Sequence, residues 1–461
     1  MKAFYFRRLN HLFLCIIALS FVHCSSDGDS GSSSTPPPPQ PKINVNTSSI
    51  SFGESYLLNN STVQTVTVDG SNLGEDINIT ASGDFEVSLD NTNFSNNLQI
   101  PSSEANNATT VYARFRPTVV GLQTGEILLE SGNTQEDIVL TGMGTRITHS
   151  YTTFNEQPLG FGGGFNQAAS QTFILHDDLS TIQQIKMYLE IDCPVTGCDD
   201  WDRFANIKVK DPTTNNWLEI GRYITPYWVG TQLLDRGLEF DVTDFKSLLS
   251  GSVELRIYIE NWTAKADIVT LTFDFIEETQ GLPAYEIDYP HYAVSEVLNF
   301  HANSISGVPY GVSHNLDLDK SIELPSNTES AHLRTLISGW GHATPYDPGG
   351  RPCAEWCYRT HHIKINGTNS FQHYMGPIGC ASNPINNQSP GNWTPDRAGW
   401  CPGMIVPVRT NALDSALSSF NFEYDFEDWT NDGANGDAYY ATSTYVVVKS
   451  NTPISAAVVT D

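Results

Sequence analysis

The chain has 461 residues, enough for several domains, and carries 24 Lys+Arg against 52 Asp+Glu, for a formal charge of −28. So negative a surface repels phosphate backbones, which argues against nucleic acid as a partner. Much of the excess charge serves solubility.

In chain order, residues 1–24 read first as an export signal. Arg7 and Arg8 precede an apolar run from Leu9 to Val22 that is too short to span a bilayer. Cys24 then opens Cys-Ser-Ser-Asp-Gly-Asp-Ser, which resembles a bacterial lipoprotein start, with Phe21 and His23 departing from the usual pattern. Two outcomes stand: membrane attachment through a lipidated Cys24, or cleavage near Ser20 and release. Both put the mature protein outside the cytoplasm, at the cell surface or secreted. Residues 25–42 are Ser/Gly-rich and run through Pro36 to Pro39, the composition of a partly stiff spacer.

Residues 43–145 show short alternating runs separated by Gly/Asn/Ser turns, such as Val66/Val68, Ile77/Ile79 and Phe85/Val87/Leu89. Many short strands in so short a stretch predict a β-sandwich. The series Ser-Phe-Gly53, Gly70-Ser-Asn-Leu-Gly74, Phe115-Arg-Pro117 and Leu140-Thr-Gly-Met-Gly144 resembles Ig-like domains of the abnormal-spindle/hydin type. With no Trp or Cys and no acid/base cluster, this region reads as a spacer or binding module.

Period-two runs continue through Ile185/Met187/Leu189/Ile191, Val253/Leu255/Ile257/Ile259 and Phe420/Phe422/Tyr424/Phe426, predicting antiparallel sheets. A change of texture near Gln280-Gly-Leu-Pro283 divides this part into all-β lobes at 146–282 and 283–461.

The mature cysteines form three brackets: Cys193 with Cys198, Cys353 with Cys357, and Cys380 with Cys401. An even set in an exported protein reads as a disulfide framework, and local pairing is the simplest connectivity, others being open from spacing alone. Zinc, suggested by His361 and His362, is the weaker reading because no CxxC pair is present and the compartment oxidises thiols.

Acids crowd these brackets. Asp199, Asp200 and Asp202 follow the first, with Arg203 behind; carboxylates this close resist simultaneous ionisation. An acidic surface turn would look the same. Glu260 ends the strand pattern Val253–Ile259, with Trp262 on its face, a pairing that suits a sugar subsite as well as a solvated edge. Glu355 sits inside the smallest bracket beside Trp356. A disulfide over so few residues contributes little by loop closure, so holding local geometry is the better explanation.

The runs Cys198-Asp-Asp-Trp-Asp-Arg-Phe-Ala-Asn, Gly221-Arg-Tyr-Ile-Thr-Pro-Tyr-Trp-Val-Gly230, Ile337-Ser-Gly-Trp-Gly-His342 and Asn383-Pro-Ile-Asn-Asn-Gln-Ser-Pro-Gly-Asn-Trp393 closely resemble peptide-N-glycosidase F. The likeness runs from about Tyr151 to the carboxyl end. It implies two jelly rolls side by side with a cleft between them. It also implies an amidase that hydrolyses the Asn side-chain amide of N-linked glycoproteins and glycopeptides, with no cofactor or metal, acting as a monomer. The family's functional acids fall on Asp202, Glu260 and Glu355, and its sugar contacts on Arg203, Trp262, Trp340 and Trp400, with Arg397 in the same run. The extra amino-terminal domain departs from the family's two-lobed form.

Charge and periodicity do not separate an amidase from a glycosidase. Two rivals remain: a surface lipoprotein that binds glycans without cutting them, and a copper monooxygenase using His342, His361, His362, His373, Met375 and Met404.

Overall fold

The structure is a computed structural model that describes residues 39–278, 289–300, 308–309, 318–343, 353–389, 392–426 and 438–461. The export signal, Cys24, most of the spacer and the lobe boundary near Gln280 lie outside the described residues.

Alternation of apolar and polar side chains builds nearly every strand. In Thr109–Phe115 the buried positions are every second residue, and the same holds along most of Ile182–Asp192. The amino-terminal domain stacks a sheet of strands Lys42–Val45, Gln64–Ser71, Thr109–Phe115 and Phe85–Ser88 on a second, five-stranded sheet. Phe85 and Phe115 stack at 4.9 Å in its core.

Each following lobe is a jelly-roll sandwich of two antiparallel sheets. In the first, Thr148–Thr152, Asp267–Glu277, Ile182–Asp192 and Leu238–Asp241 face a sheet ordered Ala168–Ile174, Ser252–Ile259, Phe204–Lys210 and Trp217–Ile224. In the second, His291–Asn299, Tyr439–Ser450, Ser330–Trp340 and Arg409–Ala412 face a sheet that includes Thr360–Ile365 and Ser419–Phe426. Among the described residues, every strand pairing within these two lobes is antiparallel.

Four strands lose the alternation and are buried along almost their whole length: Phe204–Lys210, Trp217–Ile224, Ser330–Trp340 and Tyr439–Ser450. They belong to the sheets with which the lobes meet, so their second faces are covered by the other lobe. Tyr445 and Val447 of the second lobe pack into the first lobe's core cluster, while Val446 and Val448 fill their own.

A β-bulge sets the polar content of this interface. The register between Phe204–Lys210 and Trp217–Ile224 shifts at Ile207/Lys208, where Ile207 faces Gly221 and Lys208 faces Glu219. The extra residue reverses side-chain parity, so Glu219 and Arg222, three apart, emerge on the same face. Arg222 is fully buried and donates to Glu219 (2.9 and 2.7 Å), Ser338 Oγ (3.0 Å), the Ala441 carbonyl (2.7 Å) and Ser443 Oγ (3.1 Å). A buried guanidinium satisfied from both lobes fixes their mutual register.

Candidate active site

The first cysteine bracket is closed by a Cys193–Cys198 disulfide, and the three acids behind it diverge to three different cations. Asp199, 1% exposed, takes the Arg203 guanidinium at 2.7 and 3.3 Å. Asp200 pairs with Lys265. Asp202 turns towards the second lobe, where Arg397 Nη2 lies 3.4 Å from its Oδ2. The Arg203 backbone is pinned by Thr225, whose Oγ1 accepts the Arg203 N–H at 2.8 Å and whose N–H donates to the Arg203 carbonyl at 3.0 Å. Asp202 is thereby held just ahead of the strand Phe204–Lys210.

Arg397 is presented by the third bracket. The Cys380–Cys401 disulfide closes one end, and Asp396 Oδ1 accepts the N–H groups of Ile378, Gly379 and Cys380 at 2.9, 2.7 and 3.1 Å. With Asp396 and Cys401 anchored, the run between them has little freedom. The Arg397 guanidinium, 1% exposed, lies 4.5 Å from the Trp356 ring and 5.2 Å from the Trp400 ring. Its Nη2 also donates to Tyr227 Oη at 3.1 Å. Its Nε approaches Glu355 Oε1 at 3.9 Å.

Glu355 enters through the second bracket. Cys357 is disulfide-bonded; the Cys353 side chain lies outside the described residues. The Glu355 N–H donates to the Gly341 carbonyl at 3.1 Å, and the Glu355 carbonyl accepts from Ala398 at 2.7 Å. Gly339 N–H donates to Ala398 at 3.1 Å, and Trp400 Nε1 donates to the Gly339 carbonyl at 2.7 Å. Three loops are thus stitched around Gly339, where a Cβ would stand 2.5 Å from the Ala354 carbonyl and 2.8 Å from Tyr440. Gly339→Ala should push the Glu355 loop outward. We expect a stability loss of about 1–3 kcal/mol and reduced turnover, read by denaturant melts beside initial rates.

Glu260 follows the strand Ser252–Ile259, and its N–H donates to the Phe204 carbonyl at 2.9 Å, two residues from Asp202. It is 2% exposed, because the second lobe covers this strand end: Tyr258 and Phe204 cluster with Ala441. Burial raises the Tyr439 phenol, and the negative charges of Glu260 and Glu355 raise it further. That ring therefore lies within the electrostatic reach of both acids. Trp262 is 52% exposed and meets Phe161 edge-on at 5.2 Å. Trp340 stacks on Trp400 at 4.4 Å and 17°. Trp400 is sealed beneath it at 1% exposure, so Trp340 carries the accessible face of the pair.

Electrostatics distinguish Asp202. Burial, opposed by Arg397 and reinforced by the negative charge of Glu355, pushes its carboxyl up to about 6. The Tyr227 hydroxyl hydrogen-bonds to it and favours the charged form. His342 Nε2 lies 3.3 Å from Glu355 Oε2, a contact that raises the imidazole above its ordinary value.

Asp202, Glu355 and Arg397 thus come together directly, with Glu260, Trp340 and Trp400 around them. Arg203 is turned to Asp199. Sequence reasoning missed Tyr227, Tyr439 and Phe161. Tyr227 stood in a quoted run, yet nothing in spacing marks a phenol that will bridge Asp202 and Arg397. The histidines of the copper reading are divided: His361 and His373 are cross-strand neighbours in the second lobe's core, whereas His342 stands beside Glu355. Among the described residues, the one group of three side chains of metal-ligand type is Cys380, Asp396 and Cys401. Its sulfurs are already bonded to each other, and Asp396 Oδ1 is filled by backbone N–H groups.

Residues 205–275 and 311–447 match the family descriptions "Peptide-N-glycosidase F, N terminal" and "Peptide-N-glycosidase F, C terminal". A peptide-N(4)-(N-acetyl-beta-D-glucosaminyl)asparagine amidase F from Elizabethkingia miricola is 57% identical over 316 residues, 68% of this chain and 87% of the relative. The solved structure of PNGase F, a glycosylasparaginase from Flavobacterium meningosepticum, superposes with a TM-score of 0.65 at 57% identity, over 68% of this chain and all of that one. PNGF-II, at 12% identity and a TM-score of 0.53 over 82% of this chain and 98% of that one, shares the fold. With both lobes matched and more than half the residues identical across them, this chain belongs to the peptide-N-glycosidase F family.

Proposed function

We propose that Asp202, Glu355 and Glu260 serve the hydrolysis of the side-chain amide of N-glycosylated asparagine in glycoproteins and glycopeptides. The glycan leaves intact as a glycosylamine, and the peptide keeps aspartate. The observation that carries this reading is the Arg397 guanidinium, which reaches Asp202 and Glu355 from one buried position.

The steps follow from the geometry. Asp202, as carboxylate, takes a proton from water as the water oxygen attacks the amide carbon. When the carbon–nitrogen bond breaks, the same proton goes to the departing glycosyl nitrogen, and the carboxylate is restored. Glu355 and Arg397 hold the polar surroundings of that carbon fixed before substrate arrives, so little reorganisation is needed at the moment of reaction. Glu260 accepts sugar hydroxyl bonds at the floor, while the Trp262 and Trp340 indoles cover apolar sugar faces. Trp400 supports Trp340 from beneath, and Arg203, locked by Asp199, shapes the wall next to the base. No thiolate takes part.

Asp202 as the base predicts a pH limb. The charged form works, so kcat/KM falls as pH drops through about 6. Arg397 holds that value down, so Arg397→Met should move the limb to higher pH while Arg397→Lys moves it less, as read from initial rates across pH. The reading itself is tested by incubating a defined N-glycopeptide and weighing the peptide. Asn converted to Asp supports an amidase; a GlcNAc left on Asn indicates a glycosidase.

The Cys193–Cys198 and Cys380–Cys401 disulfides support work in an oxidising compartment. Lipidation of Cys24, membrane attachment and a monomeric state belong to the same proposal. So do an Ig-like identity and a spacer or binding role for residues 43–145.

A further inference from the structure

The lobe interface contains a second cavity, of about 880 Å³, a volume typical of small-molecule sites. Leu336 and Val406 form part of its wall and belong to the apolar cluster with Ile224 and Trp400 that backs Trp340. The cavity and the active groove therefore stand back to back, with one apolar layer between them.

In a chain with more than twice as many acids as bases, this wall is cationic: Arg146, Arg222, Arg334 and Lys449 face only Asp241 and Asp244. Both acids are occupied. Asp244 is taken by His332 and Arg334 at 3.2 Å each, and Asp241 accepts from Gln184 at 2.9 Å and Thr243 at 2.6 Å. The cations are not exhausted. Arg334 is 5% exposed and its Nη2 donates to the Ile220 and Asp241 carbonyls at 3.4 Å each, so the cations left over are Lys449 and Arg146. Among the described residues, neither Lys449 nor Arg146 has a carboxylate within ion-pair distance. Lys449 Nζ rests 4.6 Å over the Tyr292 ring, and Arg146 meets the Gln183 amide oxygen. An ammonium and a guanidinium with no carboxylate partner in a partly desolvated wall favour an anion over water or a neutral sugar.

We propose that this interlobe cavity is a binding site for a small oxyanion, carried as a carboxylate on an acidic sugar or as a phosphate group. The site is separate from the groove that holds Asp202, and it takes ligand through Lys449 and Arg146.

Isothermal titration of the full chain with N-acetylneuraminate, inorganic phosphate and N-acetylglucosamine tests it. One or both anions should bind and the neutral sugar should not; whichever anion binds more tightly identifies the source. Arg146→Gln combined with Lys449→Gln should weaken binding at least about tenfold and leave glycopeptide hydrolysis unchanged. Lys449→Arg should retain binding. In the unmodified protein, affinity should fall as chloride rises, a readout independent of whether the variants fold. Absence of binding by either anion, a double variant that binds as tightly as the parent, or affinity indifferent to salt would each overturn the assignment.

Discussion

Asp202→Asn should lower kcat by roughly 10²–10⁴-fold while leaving KM for a glycopeptide within a few-fold, because an amide keeps the shape but cannot take the proton. The substitution is nearly isosteric, so the stitched loops around Gly339 and the Arg397 sandwich should persist. Glu355→Gln should cost less, since Glu355 acts on the surroundings of the reacting carbon. Steady-state rates on one defined glycopeptide, with circular dichroism to check folding, separate these cases. A variant at position 202 that keeps a tenth or more of the parent's kcat would remove Asp202 from the role of base.

The second large effect concerns stability. Arg222→Met should cost about 3–5 kcal/mol, because buried Glu219 would lose its two-pronged guanidinium partner and keep only the weaker field of Lys208 opposite it. Glu219 is 1% exposed and otherwise meets Ser443 Oγ at 2.5 Å and Asn206 Nδ2 at 3.3 Å. Those dipoles cannot replace a guanidinium. Replacing both partners, as Arg222→Met with Glu219→Leu, should recover part of the loss, since the apolar pair needs no desolvation while Lys208 keeps Glu296 as its facing acid. Chemical denaturation of the three variants checks this. Activity should follow stability in the single variant, because the same strands carry Ser338 and Ala441 next to Trp340 and Tyr439.

Much of this arrangement was legible in the residues themselves. Period two fixed the strands, and the loss of alternation in Trp217–Ile224 and Tyr439–Ser450 has a readable cause, a second covered face. Two of the three cysteine brackets close as local pairing suggested. The charge partners were not legible. Asp199, Asp200 and Asp202 read as one crowded cluster with Arg203 nearby, yet each takes a different cation, and that of Asp202 comes from Arg397, 195 residues away. Glu260 had the look of a solvated edge residue until the second lobe covered its strand. Local patterning reports which face a side chain leaves by; it does not report what later packs against that face. The bulge at Ile207/Lys208 is a further case, because one inserted residue changes the parity on which face assignments rest.

On this mechanism the acids direct water to the asparagine amide carbon rather than to the sugar. Hydrolysis of a defined N-glycopeptide in water enriched in heavy oxygen, followed by mass spectrometry of the peptide, tests it most directly. The expected product is a peptide with Asp in place of Asn, carrying one heavy oxygen in the new carboxyl group. A peptide that retains Asn bearing GlcNAc, with the heavy atom only on the released sugar, would contradict it.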